Sequence, residues 1–116
     1  MAVEPKILIA GKSSQSVEPL LNGIEEEEIP YQMTDKVSGE NTVELAHEAS
    51  LASQLHVGLA TDDQFAYLHL NSLPVDKPLA RVALSDKEDL RRLGANAARL
   101  VKRVPFKDFE RGGEIL

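Results

Sequence analysis

The chain has 116 residues, 42% hydrophobic and 28% charged, a balance that suits one globular core and excludes both a disordered chain and two ordinary domains. The net charge is −6 and the pI about 5.0, which excludes nucleic acid as the main ligand, because phosphate binding needs a basic surface. The absence of Cys removes disulfides, thiolate metal sites and a Cys nucleophile, and aromatics at 4% leave the packing to Leu, Val, Ile and Ala.

Residues 6–10, Lys6-Ile7-Leu8-Ile9-Ala10, read as a short buried strand that empties into Gly11-Lys12-Ser13-Ser14. A first helix is expected from near Ser16, whose hydroxyl can accept from the free amides of the first turn, with Pro19 early enough to be tolerated. At about 100° per residue, Val17, Leu20, Leu21 and Ile24 form one apolar stripe. Ile29 to Thr34 alternates as a second strand with Pro30 at its entry, which completes a strand, helix, strand unit. Thr42 to Leu55 reads as a second helix, with Asn41 as its cap and Glu44 three residues later.

Residues 56–60 supply a third strand, the turn 61–64 is tight, and 65–70 is expected to pair antiparallel with the third strand. A loop with two prolines, 71–78, leads to a fifth strand over 79–84. The longest helical pattern, 85–104, takes Ser85 as cap and puts Leu90, Leu93, Ala97, Leu100, Val101 and Val104 on one face. Arg91, Arg92, Arg99, Lys102 and Arg103 lie outside that stripe. Pro105 stops the helix, and the chain from about 111 is expected to be a frayed tail. The expectation is a single α/β domain over 1–116, three-layered, with a mostly parallel, mixed sheet of about five strands in a Rossmann-like or flavodoxin-like topology. Residues 1–6 lack a signal-peptide shape and no run of about 18 apolar residues occurs, so a cytoplasmic chain with no membrane partner is expected.

Few motifs carry chemistry. Gly11-Lys12-Ser13 after a strand resembles the end of a phosphate loop, but the glycine that loop needs five residues earlier is Lys6. The three glycines of a dinucleotide turn are missing too. His47, His56 and His69 fall in different elements without metal spacing, and no Ser stands in a nucleophile-elbow context. Asp62-Asp63 at a strand end can hold a divalent cation or serve as a solvated turn.

Glu25-Glu26-Glu27-Glu28 closes the first helix, where the partial negative charge makes each exposed carboxylate cost roughly 0.3 to 1 kcal/mol. Phasing turns Glu26 away from the apolar stripe and puts Glu28 on it, so the helix is expected to end at or before Glu28. A run of this kind is either a solvated face or an interface that gives one carboxylate to a cation.

Two segments together resemble a known family, the small subunits of the reactivating factors for adenosylcobalamin-dependent diol and glycerol dehydratases. Gly23-Ile24-Glu25-Glu26 with Ile29-Pro30 is similar to the family's glycine, aliphatic, Glu-Glu, x, Gly, aliphatic, Pro signature. Leu90-Arg91-Arg92-Leu93-Gly94-Ala95-Asn96-Ala97-Ala98-Arg99-Leu100-Val101-Lys102, followed by Pro105-Phe106, is the more specific match, and Leu55 to Leu59 fits the family's third strand. Glu28 departs from the pattern, which commonly has Gly there.

The resemblance implies a non-catalytic subunit of a chaperone-like factor that releases damaged cobalamin by subunit exchange. It implies a large ATPase partner that holds the ATP or ADP, a heterotetramer of two large and two small chains, and transient contact with the dehydratase large subunit. It also implies that Glu26 reaches a magnesium ion shared across the interface, with Glu25 and Glu27 as bystanders. It leaves open association with a bacterial microcompartment. Two other readings stand beside it: a cobalamin-binding, medium-subunit-like component of the dehydratase itself, and a small stand-alone α/β enzyme using Asp62, Asp63 and a histidine.

Overall fold

Apolar residues alternate along the first strand so that Ile7 and Ile9 face one side of the sheet while Leu8 and Ala10 face the other. The structure, a computed structural model, describes residues 5–11, 17–110 and 113–116. Its elements in chain order are β1 (Ile7–Gly11), α1 (Glu18–Glu26), β2 (Tyr31–Met33), α2 (Thr42–Ala52), β3 (Val57–Thr61), β4 (Phe65–Leu70), β5 (Ala80–Ala83), α3 (Lys87–Lys102) and β6 (Gly113–Ile115). The sheet order is β2-β1-β3-β4-β5-β6, the first five strands following the flavodoxin-like order.

The topology explains the layers. From β1 the chain steps one way to β2 and then returns past β1 to β3, and right-handed crossovers in opposite directions must use opposite faces. Accordingly α1 and α3 lie together over Ile7, Ile9, Leu59, Leu68 and Val82, while α2 covers Ala10 and Ala60 on the far face. A single domain of three layers with a mixed sheet results, as expected. The parallel share is smaller than expected: β2-β1-β3 are parallel, but β3-β4-β5-β6 are all antiparallel. The short turn after β3 and the loop after β4 cannot carry a parallel crossover.

Two further expectations are corrected. The end of the chain is not frayed over 113–115, because β6 pairs with β5 and Arg81 bonds Glu114 across the register. The α3 cap is Asp86 rather than Ser85, its carboxylate accepting from the Asp89 amide at 3.1 Å. Asn41 caps α2 as expected, accepting from the Glu44 amide at 2.8 Å, though the helix stops at Ala52 because Ser53 turns its hydroxyl to the Lys6 carbonyl at 2.6 Å. The Ser16 cap and the Lys12-Ser13 pair lie outside the described residues.

Glycine permits two close approaches. A Cβ at Gly23 would lie 2.0 Å from the Arg91 carbonyl oxygen, and one at Gly94 would lie 2.0 Å from that of Leu20. The α1 and α3 backbones therefore touch, and both glycines belong to the segments that carry the family resemblance.

Between α2 and the sheet, the rings of His47 and His69 meet edge to face at 4.7 Å. His69 is fully buried; the Leu70 amide donates to its Nδ1 at 2.9 Å, so Nε2–H donates to the Val75 carbonyl at 3.0 Å. Burial holds the His69 pKa below its usual value, and His47 beside it acts in the same direction. The unfolded chain then takes up the proton more readily, so this histidine's contribution is present above about pH 6.5 and is lost as pH falls toward the folded pKa. Urea unfolding at stepped pH is expected to show stability rising with pH through that window, with a shallower slope in His69→Gln.

Candidate functional site

The acidic run ends α1 against α3, where the close glycine contact sets the spacing. Two of its carboxylates, Glu26 and Glu27, meet the basic face of α3 within the same chain. Glu26 accepts from Arg91 Nε and Nη2, both at 2.6 Å, a fork-to-fork pair that uses both of its oxygens. Glu27 accepts from Lys102 Nζ at 2.7 Å and lies 3.3 Å from Arg99 Nε, with its side chain only 12% exposed. Glu25 accepts from the Tyr31 hydroxyl at 2.8 Å.

Glu25 and Glu27, the expected bystanders at the interface, thus have partners within the chain. The α3 contacts supply an intrachain reason for Glu26 and Glu27 at a helix C-terminus: α3 brings the cations that α1 lacks in its last turn. Arg91's hydrogen bonds hold the Glu26 carboxyl below the usual carboxylate range, and those of Lys102, then Arg99, do the same for Glu27. Glu26 itself remains at the surface, its side chain 39% exposed beside an Arg91 that is 49% exposed. The two border an open cleft together with Pro19, Asn22, Glu25, Lys87 and Glu88. The outward direction read from phasing is therefore correct, and the guanidinium facing it was not legible.

Glu28 has left the helix in a left-handed conformation, φ 62°, and its amide donates to the Glu25 carbonyl at 3.0 Å. The resemblance has glycine at this position because a side chain there is strained by roughly 1–2 kcal/mol. Glu28→Gly is expected to stabilise the chain by about 0.5–1 kcal/mol in denaturant unfolding, the gain being trimmed by glycine's greater unfolded-state entropy. Glu28→Val should lower stability.

The other candidates resolve into structure. Asp62 is drawn upward by burial, but amide hydrogen bonds from Phe65 and Gln64 outweigh this and lower its pKa. Its Oδ1 accepts both amides at 2.8 and 2.7 Å, and Oδ2 accepts from Thr42 Oγ1 at 2.9 Å, so it builds the β3–β4 turn. His56 stands apart from the other two histidines, exposed, with Nδ1 3.0 Å from Asn71 Nδ2. Among the described residues no three His, Asp or Glu side chains converge as metal ligands, and no helix is long and apolar enough to cross a membrane.

Comparison with known proteins places this geometry. The family model for the dehydratase medium subunit matches residues 4–107. The diol dehydratase-reactivating factor small subunit of Klebsiella michiganensis is 41% identical over 91 residues, which cover 78% of this chain and 72% of that one. The propanediol dehydratase-reactivating factor small subunit of Salmonella typhimurium is 40% identical over 91 residues, 78% of each chain. A chain in the structure of a diol dehydratase-reactivating factor complexed with ADP and Mg2+ superposes with a TM-score of 0.82 at 36% identity, over 91% of this chain and 100% of that one. A glycerol dehydratase reactivase chain gives 0.79 at 30% identity, over 90% and 98%. This chain therefore belongs to the dehydratase medium-subunit family and, within it, to the small subunits of dehydratase-reactivating factors.

Proposed function

We propose that the chain works as an exchange subunit. It pairs with a large ATPase subunit, two of each in the assembly, and takes the place of a dehydratase subunit so that damaged adenosylcobalamin leaves the enzyme. The exchange brings it into transient contact with the dehydratase large subunit, in the cytoplasm. The observation that carries this reading is the double likeness of one fold. The same chain matches the family model of the dehydratase medium subunit over residues 4–107 and a reactivating-factor small subunit over 91 residues. A chain built like a dehydratase subunit is physically suited to compete for that subunit's seat. The test mixes both reactivase subunits with dehydratase carrying damaged cobalamin and follows the corrinoid by absorbance. Release is expected only with both; equal release by the large subunit alone would overturn the exchange role.

Nucleotide belongs, on this reading, to the large partner, since Lys6 stands where a phosphate loop needs glycine. Magnesium at the interface is the role of Glu26. A surface carboxylate is a hard oxygen donor of the kind magnesium takes, one or two per site. Its neighbours among the described residues furnish no complete ligand set, which fits an ion held mainly by the partner. When bound, the ion would bridge the two chains electrostatically, and Glu26 would orient one oxygen to it. Titrated calorimetrically in magnesium, Glu26→Ala is expected to bind the large subunit at least about tenfold more weakly, the scale of losing one charged contact. Wild-type affinity would remove Glu26 from the interface.

A further inference from the structure

In the free chain the Glu26 carboxylate is already engaged. Arg91 meets both oxygens at 2.6 Å, so any cation approaching those oxygens meets a guanidinium at close range and is repelled by it. Arg91 also has somewhere else to go. Glu88 lies one turn earlier on α3, at the i, i+3 spacing that lets side chains pair, and it borders the same cleft as Glu25, Glu26 and Arg91. Neither Glu26 nor Arg91 is held by burial, with side chains 39% and 49% exposed. The neighbouring Arg92 is committed differently, to the fully buried Asp89 at 2.8 Å.

We infer that Arg91 is a positioning residue with two stations: it holds Glu26 in the free subunit and passes to Glu88 when a cation at the partner interface takes Glu26 over. This rests on the reading of Glu26 as the carboxylate offered to the partner. In the first station Arg91 keeps Glu26 extended over the cleft and discourages adventitious cations. In the second, Glu88 lowers the cost of release by keeping the guanidinium paired.

The experiment is calorimetric titration of the large subunit, in magnesium, with the full chain and its variants. Arg91→Gln leaves nothing to displace, so binding is expected to tighten about two- to fivefold, the range that an exposed ion pair represents. Glu88→Gln removes the second station and should weaken binding by a similar factor. Glu26→Ala combined with Arg91→Gln should gain nothing over Glu26→Ala, because the effect works through Glu26. In the free chain, nitrogen-resolved NMR should find the Arg91 Nε–H protected from exchange and lose that protection in Glu26→Ala. Weakened binding by Glu26→Ala with unchanged or weaker binding by Arg91→Gln would overturn the two-station role alone. Wild-type binding by Glu26→Ala would overturn it together with the reading beneath it.

Discussion

Gly94→Ala is expected to lower stability by about 1–3 kcal/mol in urea unfolding, even though alanine is the better helix former by about 1 kcal/mol. The two effects oppose each other, and distance decides between them. The new methyl would sit 2.0 Å from the Leu20 carbonyl oxygen and 3.0 Å from its carbon. Those atoms are backbone of α1 and cannot rotate aside, so the helices must part. Gly23→Ala meets the same obstacle from the other side, 2.0 Å from the Arg91 carbonyl oxygen and 2.8 Å from the Ala95 amide nitrogen. Since either methyl already opens the contact, the double variant should cost less than the two single losses together. A gain in stability from either single variant would mean that propensity outweighs the contact. The functional consequence lies along the same seam. Parting the helices separates Glu26 from Arg91, and Glu27 from Arg99 and Lys102, so both ion-pair sites should loosen along with the fold.

That seam marks where sequence reasoning stopped. Periodicity located the stripes of α1 and α3 and turned Glu26 outward, because phase along one helix depends only on neighbours within a few residues. The pairing of Glu26 with Arg91 spans 65 positions and depends on how two helices cross, which neither periodicity contains. The basic face of α3 was visible as composition, but its partners were not. Glu28 was legible only as a departure from a pattern; the left-handed backbone supplies the cause. At the chain end, Gly113-Glu114-Ile115 is too short to display alternation, and its strand exists because β5 offers an open edge. The cap of α3 slipped by one residue for an equally local reason: Ser85 and Asp86 are both good caps, and only geometry chooses between them.

Asn96→Ala is the second large loss expected, about 2–3 kcal/mol, and it should fall first on the end of the chain. Asn96 is 1% exposed and clamps the segment after α3 with both halves of its amide: Oδ1 accepts from the Lys107 amide at 2.7 Å and Nδ2 donates to the Lys107 carbonyl at 3.0 Å. Two turns earlier, Asp89 accepts from the Glu110 amide at 3.0 Å, so two buried side chains of α3 hold one strap. Alanine would orphan a backbone donor and acceptor at once, each worth about 1–3 kcal/mol when left unsatisfied. Asn96→Asp separates hydrogen bonding from shape: it keeps the bond from the Lys107 amide but sets a second carboxylate oxygen against the Lys107 carbonyl. It should therefore destabilise as well. The strap carries Phe109, whose ring lies against Gly113 so closely that a Cβ there would approach to 2.6 Å. Loss of the clamp should then free β6 and bare the β5 edge. In hydrogen exchange, the amides of Lys107 and Glu110 should lose protection first and the β5–β6 pairing next, while β1 and β3 keep theirs. Full protection at Lys107 in Asn96→Ala would mean that Phe109 and Asp89 hold the strap without the amide clamp.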